Sequence, residues 1–123
     1  MDVPSTIRLA ARAMGWLLLM IIVFVTLSPA SYRPVTKVGH NLEHLLIHFA
    51  LGVTFAIGYG RRWWQLAVWL VGFAAALEFA QLFVPGRHAR LEDLVLDAGA
   101  VCLGVAFVWA MDVAASLLKP GRS

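Results

Sequence analysis

Four long apolar stretches run along the chain, separated by short polar breaks. No charged residue occurs between Ala13 and Tyr32. A helix rising about 1.5 Å per residue needs about 20 such positions to cross roughly 30 Å of hydrocarbon. With its flanks, this run predicts a first span over 9–30. A second, over 42–60, carries Glu43, His44 and His48 in its first two turns and is uncharged from Phe49 to Tyr59. Arg61 and Arg62 make a short basic break, and Trp63, Trp64 and Trp69 follow, where amphipathic rings favour a membrane interface. The third span, 63–84, is stopped by Pro85 and Gly86, because proline lacks an amide donor and glycine frees the backbone. The fourth, 91–113, contains Gly99 and Gly104 among Ala98, Ala100 and Ala106, small residues that permit close helix approach. A polar tail runs from Lys119 to Ser123.

This pattern predicts one all-α domain over 1–123, an integral membrane four-helix transmembrane bundle with both termini on the same side. Composition agrees. Of 123 residues, 61% are hydrophobic and only 14% charged, against roughly 25% charged in an ordinary soluble domain, and the mean hydropathy is +0.80. The net charge of +3 does not point to nucleic acid, since the basic residues stand in ones and twos between apolar blocks. Counted by side, Arg8, Arg12, Arg61, Arg62, Lys119 and Arg122 outnumber Arg33, Lys37, Arg87 and Arg90, which puts the termini in the cytoplasm by the positive-inside rule. Arg8 and Arg12 before an apolar run, with Ser28, Pro29 and Ala30 after it, mimic a secretory signal. The run is long for one, so it reads as a retained span. The single Cys102 excludes an intramolecular disulfide and reads as a small core residue.

The ionisable residues inside the spans carry the chemical information, because each costs about 2.5–3.5 kcal/mol to insert at the centre of the bilayer. His44 and His48 stand at i, i+4, Glu78 and Gln81 at i, i+3, and Asp93 and Asp97 at i, i+4. Each pair shares one helix face. On the predicted topology the three pairs come to one level in the outer half of the membrane, while the cytoplasmic halves of the same spans are nearly free of ionisable groups. Arg87 and Arg90, in the loop before the last span, offer guanidinium forks suited to a phosphate. Both could instead pair with Glu92 and Asp93; ligand binding is the preferred reading for Arg87 and pairing for Arg90, and His88 reads as solvated.

Leu77-Glu78-Phe79-Ala80-Gln81-Leu82-Phe83-Val84-Pro85-Gly86-Arg87, followed by Asp93, Asp97 and Gly99, resembles the signature of the VanZ-like membrane proteins. Ser28-Pro29, Arg33-Pro34 and the stretch from His44 to Leu51-Gly52 extend the likeness over residues 26 to 105. Where many relatives carry Asp-Lys before the histidine matching His44, this chain has His40-Asn41, with Glu43 beside them, and Asp97 stands where many have Asn. The resemblance implies a cell-envelope protein of the bacterial inner membrane, in a family named for low-level resistance to the glycopeptide teicoplanin. It implies no defined reaction.

Three functions remain open on these grounds. The leading one is a protein that binds an anionic lipid-linked or glycopeptide-related ligand in a polar pocket open to the outer leaflet. In that reading Arg87 meets the anion, and Gln81, Asp93, Asp97, His48 and Arg90 join His44 and Glu78 around it. The second is an intramembrane hydrolase or transferase acting on a lipid carrier, with Glu78 or His44 as acid-base residue. The third is a structural or partner-binding protein in which the polar groups only specify packing. An ion pathway ranks below all three, because the polar residues occupy one half of the bilayer. No cofactor is implied. His44, His48 and Asp93 are the candidates for a metal, and a hydrogen-bonded polar interior is the preferred reading of the histidines. The expected partners are membrane lipids and a lipid-linked envelope intermediate, with no nucleic acid.

Overall fold

The computed structural model describes residues 3–32, 39–60, 62–86 and 88–118. They form four α-helices, α1 (Ser5–Leu27), α2 (His40–Tyr59), α3 (Trp63–Gln81) and α4 (Leu91–Leu117), with a 3-10 turn over Ala30–Tyr32. There is no strand among the described residues. All four helices are long and apolar enough to cross a membrane, and the chain is a multi-pass membrane protein built as an all-α bundle. Lys37, Arg33, Arg61, Arg87, Lys119 and Arg122, all used in the charge count by side, lie outside the described residues.

Local chemistry sets the helix ends. Pro29 pushes the residue before it out of helical space, and Ser28 is extended at φ −72°, ψ 143°, closing α1. Gly39, at φ 57°, takes the left-handed conformation that leads into α2, and Gly86, at φ 76°, does so in the α3–α4 turn. The helices differ from the predicted spans at several ends. α1 begins and finishes a few residues earlier than 9–30. α3 stops at Gln81 rather than at 84, because the restriction Pro85 places on Val84 acts upstream: the amides of Phe83 and Val84 bond to Ala80 and Gln81 in i+3 turns at 3.1 Å. α4 continues to Leu117, past 113, since Val113-Ala114-Ala115-Ser116-Leu117 contains no helix breaker.

Consecutive helices alternate in direction, so α2 and α4 run parallel and form the most extensive pairing in the bundle. α1 packs on α2 and α3 on α4. Leu51, Leu70, Val101 and Val105 are fully buried at the centre, joined by Leu19, Ile22 and Phe55. Outside, Phe24, Val68, Leu103 and Leu117 are each more than 60% exposed, which in water would be ruinous and in lipid is the expected surface. α2 and α4 meet backbone to backbone. A methyl group at Gly52 would strike the carbonyl oxygen of Val101, and one at Gly104 the carbonyl of Phe49 and the amide of Val53. Gly104 therefore acts as predicted. Gly99 does not: it is exposed, with nothing within 4 Å of where a methyl would stand. Cys102 is likewise exposed rather than in the core.

The end of the bundle that holds Val3 and the last turns of α4 carries more polar structure than the sequence led one to expect. Arg12 donates through Nε to the carbonyl of Gly58 at 2.8 Å and stacks over the Tyr59 ring at 4.7 Å. Trp16 Nε1 donates to the Tyr59 hydroxyl at 2.9 Å. Arg8 and Asp112 border one small cavity there with Val3. The earlier start of α1 draws Arg8 into helix as well, beside Arg12 and Asp112, which the predicted spans already included.

Candidate functional site

At the opposite end, the first turns of α2 and α4 and the last turn of α3 gather the remaining polar residues. His48, Glu78, Gln81, Asp93 and Asp97 are all buried, and His44 is partly so. On α2 the i, i+4 spacing stacks the His44 and His48 rings, with centroids 5.8 Å apart and planes 18° apart. Both point at α4. His44 Nδ1 lies 2.9 Å from Asp97 Oδ1, and His48 Nδ1 lies 3.1 Å from the same oxygen and 2.9 Å from the carbonyl oxygen of His44. A carboxylate taken out of water needs donors to offset its desolvation. With Nδ1 protonated, His44 donates to Asp97, while His48 divides its N–H between the His44 carbonyl and the nearby carboxylate.

The ligating atoms of His44, His48 and Asp97 all lie within 4.8 Å of one another, the one such group among the described residues. The carboxylate that meets the histidines is thus Asp97. Asp93, one turn earlier on α4, is buried outside that set. A cavity of about 100 Å³ opens beside the cluster between α1 and α2, lined by Ile22, Val25, Thr26, Glu43, His44, Ile47 and His48. The His44 side chain is 17% exposed and that of His48 only 4%, so His44 is the more accessible of the two.

Glu78 is committed elsewhere: its Oε1 accepts the backbone N–H of Arg90, the residue that caps α4. The contact ties the end of α3 to the start of α4 across the Pro85-Gly86 turn. Gln81 is buried one turn further along α3. Arg90 is exposed, 3.5 Å from Glu92, and His88 is exposed. Arg87, expected to meet an anion, lies outside the described residues. Gly52, noted in the sequence only as part of the family resemblance, makes the close contact with α4 that holds the two histidines against Asp97. A glycine mid-span, on the face shared with His48, was the available signal.

The VanZ/LLP1 family matches residues 12–112, from the third turn of α1 to about a turn and a half before the end of α4. The chain belongs to the VanZ/LLP1 family. The match takes in all four helices and every member of the polar cluster. Comparison with curated proteins and with solved structures gave no match. Within this VanZ/LLP1 chain, then, the geometry of the cluster is the guide to its chemistry.

Proposed function

We propose that this VanZ/LLP1 protein sits in the cell membrane with its termini in the cytoplasm and binds the polar head of an anionic lipid-linked envelope molecule, or a glycopeptide-related ligand, at the opposite end of the bundle. The observation that carries this reading is the convergence of His44, His48 and Asp97 beside a cavity between α1 and α2. A polar group set at the end of an apolar bundle matches an amphiphile, with its head at the cluster and its chain along lipid-facing helices. The guanidinium groups of Arg87 and Arg90 in the neighbouring loop supply the charge for a phosphate. The family's association with teicoplanin resistance makes an envelope ligand the natural class.

The test is thermal melting of the purified full-length protein in detergent with a polyprenyl phosphate, the matching polyprenol, or teicoplanin. The phosphate or the glycopeptide raises the midpoint, the neutral alcohol does not, and His44→Ala and Arg87→Ala abolish the rise. Equal shifts with phosphate and alcohol would overturn the reading.

A second reading, hydrolysis or transfer on the same lipid, draws on the 2.9 Å pairing of His44 with Asp97. A carboxylate that holds one imidazole nitrogen protonated leaves the other as a base. Head-group release from the lipid carrier, lost in His44→Gln, distinguishes it from binding alone.

A further inference from the structure

We infer that His44, His48 and Asp97 form a binding site for a divalent transition-metal ion of the Zn²⁺ type. This deepens the reading of the same cluster as a ligand site, because a bound cation would give an otherwise acidic pocket the positive charge that an anionic head requires. The inference itself stands on three features of the cluster. First, the donor set is two imidazole nitrogens and one carboxylate oxygen, a combination that suits zinc and its neighbours, whereas Mg²⁺ and Ca²⁺ take oxygen ligands. It departs from the sequence expectation, in which Asp93 stood where Asp97 does.

Second, the atoms are spaced for an ion. In a tetrahedral site with bonds of roughly 2.0–2.1 Å, ligand atoms lie about 3.3 Å apart. Here the two Nδ1 atoms stand 2.9 and 3.1 Å from Asp97 Oδ1, and all three ligating atoms lie within 4.8 Å of one another. Rotation of the two imidazoles closes that set around an ion: the proton on each Nδ1 moves to Nε2 in the other tautomer, and His48 gives up its contact with the His44 carbonyl. Third, the set is incomplete in a useful way. Among the described residues three protein ligands leave a fourth position, as in catalytic rather than structural zinc sites, and a cavity borders both histidines, with the half-buried Glu43 on its wall.

The experiment uses tag-free, full-length protein in lipid-free detergent, stripped with chelator and titrated with Co²⁺, whose visible absorption reports its coordination. One Co²⁺ binds per chain with the absorption of a low-coordinate site, Zn²⁺ displaces it and Mg²⁺ does not. Asp97→Asn and His44→Ala weaken binding by more than the roughly 10- to 100-fold that loss of an outer partner costs. Because either variant can lose its fold, His44→Cys is the second arm: it retains the ion and adds a thiolate-to-cobalt charge-transfer band that the wild type, which already contains Cys102, lacks. A wild-type titration without the absorption, or one indistinguishable from Asp97→Asn in well-folded protein, would sink the proposal. No lipid is present, so failure here and failure of the polyprenyl-phosphate melt are read independently.

Discussion

Glu78 illustrates how a single buried carboxylate can serve the frame rather than the chemistry. Its acceptor role toward the Arg90 amide leaves a part-buried N–H without a partner when the side chain is cut back. Glu78→Ala should therefore destabilise the protein by about 1–3 kcal/mol, read as a lowered melting midpoint in detergent. Glu78→Gln should lose less, because its amide oxygen still accepts. Equal losses for the two variants would mean the charge, not the hydrogen bond, matters. At this scale the sequence was partly legible. The i, i+4 histidines and the acidic opening of α4 announced a polar level, since such residues are costly in lipid. The choice between Asp93 and Asp97 was not, because they share a helix face and only the axial register of α4 against α2 decides which one stands level with the histidines. That register is a tertiary quantity. Neither was the commitment of Glu78 to a backbone amide twelve residues away.

Among the elements, the parallel pair α2 and α4 is the most constrained. Gly104→Ala and Gly52→Ala place a methyl against backbone that cannot rotate aside, so each should cost about 1–3 kcal/mol through forced separation of the helices. Gly72→Ala and Gly99→Ala meet nothing within 4 Å; they should stay within about 1 kcal/mol of wild type, in the stabilising direction given the helix propensity of alanine. Reversible unfolding in mixed micelles compares the four, and a uniform response would refute the close contact. The existence of each helix was plain from the apolar runs and the Pro and Gly breaks. The boundaries were less so: α4 runs on to Leu117 and α1 begins before Arg8, because a charged residue near the end of a span can reach the polar zone without ending the helix.

At the scale of the molecule, the two ends of the bundle differ in kind. One is tied by Arg12, Trp16 and Tyr59, the other by the histidine–aspartate cluster. If the termini lie in the cytoplasm, as proposed, the exposed His88 faces outward. A His88→Cys change in a Cys102→Ser background should then react with a membrane-impermeant maleimide added to intact, envelope-permeabilised cells, while a cysteine replacing Ser5 should react only after the inner membrane is opened. The reverse pattern would invert the topology. Membrane class, helix number and the level at which polar groups cluster were legible from the sequence. The asymmetry between the ends was understated, because cations at span starts look like ordinary flanks until their partners on another helix are known.

His48 lies one turn before Gly52, and Asp97 one turn before Val101, the very pair whose backbones touch. On parallel helices those matched offsets work like a vernier: once the glycine seats, the imidazoles and the carboxylate are brought level without help from the connecting loops. The spacing of the cluster is thus inherited through contact rather than through connection, so the stretches between helices are free to drift in length and composition while a change at Gly104, a full turn or more away, would detune it.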